Sequence, residues 1–191
     1  MRALVVYESM FGNTRRVAEE VARALGAATQ VRVAHADDVA PEDVADVDLV
    51  VFGAPTHAWG LPRARTRRAA RSQVVTSAGL VLEAGADTKS GVRELLATLP
   101  AGGVHAWVAA FDTRRRGPGW LTGRASTSIS SVLSRLGARA LVGPESFLVD
   151  QHDHLVPGEL ERAYAWGTRL GGEIAARPTS RQGRSPGRAR K

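Results

Sequence analysis

The sequence predicts an α/β fold in which a five-stranded parallel sheet carries helices on both faces, as a three-layer sandwich. Short apolar segments alternate with amphipathic segments five times along the chain, and right-handed crossovers then favour a parallel sheet. The chain has 191 residues, of which 43% are hydrophobic, and this suits one packed domain rather than two. We therefore expect one domain over residues 1–176.

The first strand and the first helix show the clearest pattern. Residues 2–7 form an apolar run that predicts a buried strand, while Val17, Val21 and Leu25 recur every four residues on one face of a helix. Between them, residues 9–14 form a turn of hydroxyl, glycine and amide residues. Because a helix N-terminus offers unpaired backbone amides and the positive end of the helix dipole, this turn predicts an anion site that needs no lysine.

The remaining elements follow in the same alternation. We expect further strands at residues 29–35, 48–53, 103–111 and 139–149, the last one interrupted at Gly143 and Pro144. We expect a helical turn from Pro41, a helix or loop at 63–71, and helices at 90–99, from 122 or 123 to 136, and at 159–176, with Ser90 as an N-cap. Residues 74–86 fit an added strand pair, a helix or a mobile connection, and these alternatives stay open.

The turn after the first strand resembles the phosphate-binding loop of the flavodoxin family. The matching positions are Val5, Val6, Tyr7, Ser9, Gly12, Thr14, Ala18 and Val21. The resemblance implies flavin mononucleotide (FMN) as the cofactor, the strand order 2-1-3-4-5, and a ligand at the switch point between the first and third strands. Phe11 departs from the pattern, because many family members have a second hydroxyl residue there.

The same resemblance implies that three loops, after strands one, three and four, converge on the FMN. The second loop places Trp59 against the flavin ring, although a tryptophan packed on the protein's own helix is the alternative. Family members often have a tyrosine stacked on the other face of the ring, and the third loop has none. The expected cofactor-binding residues are Ser9, Met10, Phe11, Gly12, Asn13, Thr14, Pro55, Thr56, His57, Ala58, Trp59, Gly60, Phe111, Asp112 and Thr113.

Arginines follow the second and third loops, where flavodoxins are typically acidic. These residues are Arg63, Arg65, Arg67, Arg68, Arg114, Arg115 and Arg116. We expect them to form a basic rim that favours reduced, anionic flavin and attracts an anionic partner. A solvated arginine-rich surface without such a role is the alternative.

Composition excludes several other functions. The absence of cysteine excludes disulfides, thiolate catalysis and iron–sulfur ligation. No run of eighteen apolar residues or signal-peptide pattern is present, so we expect a cytoplasmic protein without a membrane span. His152 and His154 lack further ligands in a suitable pattern, and we therefore predict a loop rather than a metal site.

The positive net charge is concentrated at the C-terminus. Residues 177–191 contain six basic residues and no acidic one, whereas the remainder has 20 basic and 19 acidic residues. This segment also lacks large apolar side chains, so we predict a basic, disordered tail. We expect a solvated terminus without specific nucleic-acid binding; weak binding of nucleic acid, acidic lipid or an acidic protein is the alternative.

Together these features predict an FMN-binding, flavodoxin-like redox protein that transfers electrons. Its partner is expected to be a redox protein, or NAD(P)H together with a quinone-type small molecule. Two alternatives stay open: a flavin-dependent NAD(P)H:quinone or nitro reductase, and a non-catalytic module that has lost FMN. The sequence does not separate an electron carrier from an enzyme, or a monomer from a homodimer.

Overall fold

The computed structural model describes residues 1–27, 29–57, 60–69 and 81–177. Its strands are β1 (Arg2–Tyr7), β2 (Gln30–His35), β3 (Leu49–Pro55), β4 (Trp107–Arg115), β5 (Arg139–Ala140) and β6 (Glu145–Val149). Its α-helices are α1 (Asn13–Leu25), α2 (Pro41–Ala45), α3 (Val92–Thr98), α4 (Gly119–Thr122), α5 (Ala125–Arg135) and α6 (Glu159–Ala175). Residues 36–38 form a 3-10 turn, and residues 64–69 are helical.

The strands form one parallel sheet in the order β2-β1-β3-β4-β5, which confirms the predicted topology. β4 pairs with β5 near its start and with β6 further along. β5 and β6 are therefore two parts of a fifth strand, and the predicted interruption at Gly143 and Pro144 is confirmed. All strands of this sheet end at the same edge, so the loops that follow them lie together.

Two hydrophobic layers cover the sheet. Val6 faces one core, which includes apolar side chains of α3 and α5, and Val5 faces the other, which includes those of α1 and α6. The contact between α1 and α6 is close, because a Cβ atom at Gly167 would lie 2.7 Å from the carbonyl oxygen of Val21. The predicted three-layer sandwich is confirmed.

Two predicted boundaries were wrong. β4 covers Trp107–Arg115 rather than residues 103–111, because β6 provides a partner strand for Arg114 and Arg115. The helix predicted from residue 122 or 123 to 136 begins instead at Ala125, because the preceding short helix α4 ends at Gly123, whose φ of 76° breaks the helical path.

Some predictions concern residues that the structure describes only in part. Residues 70–80 lie outside the described ranges, and residues 81–89 form loop and turn structure. Apart from Arg177, the predicted disordered tail also lies outside them, so the tail and the domain boundary stay predictions. Across the described ranges, no helix combines the length and the hydropathy required to cross a membrane.

Candidate functional site

The carboxyl ends of four strands surround a cavity of about 380 Å³. Nine of the residues that line it were predicted to bind the cofactor: Ser9, Met10, Phe11, Asn13, Thr14, Pro55, Thr56, His57 and Thr113. Six further lining residues were not in that set: Thr66, Arg114, Arg115, Thr122, Val149 and Asp153. The cavity therefore coincides with the edge at which the sequence placed the ligand.

The loop between β1 and α1 leads directly into the N-terminus of α1, where backbone amides lack helical partners. Gly12 has a φ of 84°, a conformation that glycine adopts without strain, and its amide donates to the Ser9 hydroxyl oxygen at 3.1 Å. The first helical hydrogen bond runs from the Arg16 amide to the Gly12 carbonyl at 3.0 Å. The amides of residues 13–15 precede this bond, and the Ser9 hydroxyl keeps its hydrogen for a ligand.

Side chains tie this loop to the strands across the cavity. The hydroxyl oxygens of Thr14 and Thr113 lie 2.7 Å apart, which joins α1 to the end of β4. One of these hydroxyls donates to the other, and the second hydrogen is available to a ligand. The Asn13 side-chain amide donates to the Asp153 carbonyl after β6, so this side chain positions a loop.

The loop after β3 is held in place by Thr56. Its amide donates to the Thr113 carbonyl at 2.8 Å, and its hydroxyl oxygen accepts the Ala125 amide at the start of α5 at 3.0 Å. His57 and Gly60 exchange two backbone hydrogen bonds, of 2.9 and 3.0 Å, and so close a tight turn. Ala58 and Trp59, the two residues between them in the sequence, lie outside the described residues, and the stacking role of Trp59 stays a prediction.

His57 brings a titratable group to the cavity. Burial lowers the pKa of its imidazole below the ordinary 6.5, an effect that exceeds the opposing charge of Asp153. At neutral pH the ring is therefore uncharged, with one nitrogen donating and the other accepting hydrogen bonds.

The side chains of two predicted binding residues, Phe111 and Asp112, contact other parts of the protein instead of the cavity. Phe111 is fully buried and packs edge-on against Phe147 and Trp166, with ring centroids 5.9 and 6.0 Å away. Asp112 is also fully buried, and its Oδ2 accepts from the amide and the hydroxyl of Ser126 at 2.8 and 2.7 Å. Neither residue lines the cavity, so we omit both from the proposed ligand contacts.

Glu8, next to the loop between β1 and α1, belongs to a buried network with Arg67 and Glu94 that was not predicted, and we call it the Glu8 network. Glu8 Oε2 accepts the Val92 amide at the start of α3 at 3.0 Å, and its Oε1 lies 3.3 Å from Arg67 Nη1. Arg67 also donates twice to Glu94, at 3.1 and 2.9 Å. The prediction that Ser90 caps α3 is wrong, because Gly91 is the N-cap residue. The Gly91 amide donates to Glu94 and the Val92 amide to Glu8.

The Glu8 carboxylate is tightly enclosed. A Cβ atom at Gly91 would lie 2.1 Å from its Oε2, so only glycine fits beside it. Burial raises the pKa of Glu8 above its ordinary value, and the Arg67 charge and the Val92 amide offset this only in part. The network thus fixes the start of the loop between β1 and α1 against α3 and the helical residues 64–69.

Two of the seven arginines in the predicted basic rim are buried, and the other five are exposed. Arg67 is 4% exposed and Arg114 is 9% exposed. Exposed members of the set are Arg63, Arg65, Arg68, Arg115 and Arg116. Arg67 belongs to the Glu8 network and Arg114 lies within β4, so these two arginines are not part of a solvated surface. The role predicted for the basic rim stays a prediction.

Residues 81–89 cover the loop between β1 and α1. The Glu83 amide donates to the Met10 carbonyl at 2.8 Å, and the Glu83 carboxylate pairs with Arg15. Met10 is 2% exposed and packs with Ala86, so much of its side chain serves this contact. The predicted ligand-binding role of Met10 is thereby restricted to the part of the residue that lines the cavity.

The loop after β6 contains the two histidines considered in the sequence. The amides of His152 and His154 both donate to Asp150 Oδ1, at 2.8 and 3.0 Å, which describes a tight turn. In the residues that the structure describes, no three potential metal ligands lie together.

Comparison with known proteins places these features in a family. The family model for flavodoxin matches residues 5–166. A curated flavodoxin from Aquifex aeolicus (strain VF5) is 35% identical over 68 residues, which are 32% of this chain and 37% of the relative. This match thus spans a little over a third of that protein's length.

Solved structures extend the likeness of fold to nearly the whole chain. An archaeal flavodoxin superposes with a TM-score of 0.61 at 18% identity, covering 92% of this chain and 99% of its own. Oxidised flavodoxin 2 from Bacillus cereus gives a TM-score of 0.61 at 17% identity, covering 91% of this chain and 99% of its own.

Proposed function

Because the chain belongs to the flavodoxin family, whose members bind FMN, we propose that it transfers electrons through a non-covalently bound FMN. The matched residues 5–166 include the described loops around the cavity and, apart from the first three residues of β1, all the strands that the structure describes. Bound FMN supplies the redox chemistry, whereas the protein supplies binding, orientation and electrostatics.

The observation that carries the proposal is the set of donors at the end of β1. Asn13 and Thr14, the first two residues of α1, line one cavity with Ser9 and Thr113. They bring amides of the first helical turn and the hydroxyls of Ser9 and Thr14 to this site. Such a set binds a phosphate ester without a lysine, since helix amides and the helix dipole favour a negative charge. The residues present therefore fit the phosphate end of FMN.

The remaining lining suits the less polar part of the ligand. Phe11, Pro55 and Val149 provide apolar surface in the same cavity. The neutral His57 imidazole supplies a hydrogen-bonding group at its wall. This combination of an apolar lining with a few placed polar groups is typical of cofactor sites. We propose Trp59, which lies between His57 and Gly60 in the sequence, as the residue that stacks on the flavin.

The proposed partners are a redox protein or a small oxidant and reductant pair. Arg115 is exposed, lines the cavity and favours the approach of an anionic partner. The same charge would favour an anionic nicotinamide nucleotide, which is the observation that supports the NAD(P)H-dependent reductase as the second candidate.

The test uses the full chain purified without denaturant and titrated with FMN. We expect flavin absorbance bands at about 370 and 450 nm that stay with the protein on gel filtration. The Ser9→Ala/Thr14→Val double variant should bind FMN about tenfold or more weakly, because two hydroxyl donors to an anion are lost. Ser131→Ala, at an exposed position of α5, is the matched control and should bind as the parent does.

Two further measurements separate the candidates. Rapid NAD(P)H oxidation in the presence of a quinone would support the reductase, whereas its absence together with photoreduction in one-electron steps would support the carrier. A folded chain that takes up no FMN would overturn both.

A further inference from the structure

Arg114 differs from the two arginines that follow it. Arg115 and Arg116 are exposed, whereas Arg114 is 9% exposed and lines the cavity. All side chains of a strand alternate between its faces, and Thr113 contacts Thr14 on one face. Arg114 therefore lies on the opposite face of β4, within the protein.

The guanidinium of Arg114 is held in place but is not fully satisfied. Its Nη1 lies 2.8 Å from the Gly117 carbonyl, 3.0 Å from the Thr122 hydroxyl and 3.2 Å from the Arg115 carbonyl. Its Nε is buried and has no hydrogen-bond partner among the described residues. A buried donor without a partner is rare in folded proteins and points to a ligand.

The charge of Arg114 also lacks a direct counter-ion in the described part of the chain. No carboxylate oxygen there lies within 4.0 Å of its guanidinium nitrogens. Asp153 pairs with Arg115 at 3.0 Å, and the buried Asp112 attracts Arg114 only at longer range, while its Oδ2 accepts from Ser126. Burial of a cation without a close partner is unfavourable unless an anion joins it.

We infer that Arg114 is a binding residue that supplies a positive charge to the anionic groups of bound FMN. The inference rests on the proposed function, since it names a residue of the same cavity. FMN carries negative charge on its phosphate and, after two-electron reduction, on its ring. The loop between β1 and α1 and Arg114 line the same cavity, so either group lies within reach of electrostatic attraction.

The experiment compares Arg114→Gln with the matched control Arg116→Gln, which alters an exposed arginine two residues away. Calorimetry measures the dissociation constants of FMN and riboflavin for each apoprotein, and potentiometry measures the midpoint potential of bound FMN. Circular dichroism and thermal unfolding establish that each variant is folded.

The two sources of charge give different results. A contact with the phosphate predicts that Arg114→Gln binds FMN at least about tenfold more weakly while riboflavin binding is unchanged. A contact with the reduced ring predicts unchanged binding of oxidised FMN and at least about tenfold weaker binding of reduced FMN, which appears as a lower midpoint potential. Arg116→Gln should change each quantity less than about threefold, because exposed charges are screened.

The contradicting outcomes are distinct. If a folded Arg114→Gln matches Arg116→Gln in both FMN affinity and potential, the inference is wrong and the proposed function stands. If the parent chain binds no FMN, both are wrong. Should Arg114→Gln fail to fold, Arg114→Met, which keeps an unbranched side chain without the charge, replaces it and is compared with Arg116→Gln by the same criteria.

Discussion

Two buried carboxylates, Glu8 after β1 and Asp112 in β4, both accept an amide at the start of a helix, but their charges have different partners. Each accepts the amide of a residue in the first turn of a helix, Val92 in α3 at 3.0 Å and Ser126 in α5 at 2.8 Å. Neither acid lines the cavity, although both lie next to residues that do. The acids thus cap helices on one face of the sheet, while amides and hydroxyls are left to the ligand.

The difference lies in how each charge is compensated. Glu8 forms an ion pair with the buried Arg67, which in turn bonds Glu94, whereas the hydrogen bonds of Asp112 Oδ2 come from neutral groups of Ser126. A charge pair is fragile to the loss of one member, because the other stays buried and uncompensated. Neutral donors leave no such charge behind. The two sites should therefore respond differently to substitution.

Removal of the Arg67 guanidinium is expected to give the largest effect. Arg67→Ala leaves Glu8 buried without its cation and should lower the free energy of unfolding by about 3–5 kcal/mol. Arg68→Ala removes an exposed arginine from the same helical segment and should cost less than about 0.5 kcal/mol. Urea unfolding measures both, and similar values for the two variants would show that the network does not stabilise the fold.

Loss of the Asp112 carboxylate should cost less. Asp112→Ala removes two hydrogen bonds to Ser126 and should lower the free energy of unfolding by about 1–3 kcal/mol. Asp112→Asn keeps an oxygen acceptor for the Ser126 amide and should lose a smaller part. A loss for Asp112→Ala that exceeds the loss for Arg67→Ala would reverse the comparison.

The sequence predicted the topology well because apolar runs and amphipathic spacing are local signals. The Glu8 network was missed because its members are far apart in the sequence. Glu8 precedes the loop between β1 and α1, whereas α3, whose first amide it accepts, begins 84 residues later at Val92. Likewise, Arg114 and Arg115 look like a charged loop, and only their pairing with Leu148 and Val149 extends β4 through them. Roles that depend on distant partners carry no local pattern.

The sequence likewise predicted the part of the site that follows from element order and missed the part that depends on distant partners. Ser9 and Thr14 follow a strand and open a helix, so their contribution to the cavity follows from the order of the elements. Val149 and Asp153 were missed, although the position of β6 beside β4 places the end of β6 at the same edge. Phe111 was assigned to the ligand because it was expected at a strand end, but β4 continues beyond it and buries it.

The pH dependence of stability tests the feature that the two acids share. Burial raises the pKa of Glu8 and of Asp112 above their ordinary values of 4.5 and 3.8. The folded protein then binds these protons more tightly than the unfolded chain, so the free energy of unfolding contributed by the two groups falls as pH rises. This fall begins near the ordinary values and ends once pH exceeds the raised ones.

The Glu8→Gln/Asp112→Asn double variant isolates this effect, because it lacks both titrating groups. From acidic to neutral pH, the parent should lose stability relative to the double variant, as measured by urea unfolding at each pH. A difference that stays constant, or that changes in favour of the parent as pH rises, would contradict the assignment.

The smallest expected change concerns the hydroxyl pair between α1 and β4. Thr113→Val removes the 2.7 Å contact with Thr14 and should cost about 0.5–1.5 kcal/mol of stability. Thr98→Val, which removes a hydroxyl bonded within α3, is the control for the general effect of such a substitution. Only Thr113→Val should also weaken FMN binding, and equal FMN affinities for the two variants would separate this pair from the ligand.

The most direct measurement for the whole account is calorimetric titration of the apoprotein with FMN. We predict binding of one FMN per chain, and loss of that binding in Gly12→Val, since a β-branched residue is strained at a φ of 84°. Binding with equal affinity in the parent and in a folded Gly12→Val, or no heat with FMN in the folded parent, would contradict the claim that the loop between β1 and α1 holds the phosphate.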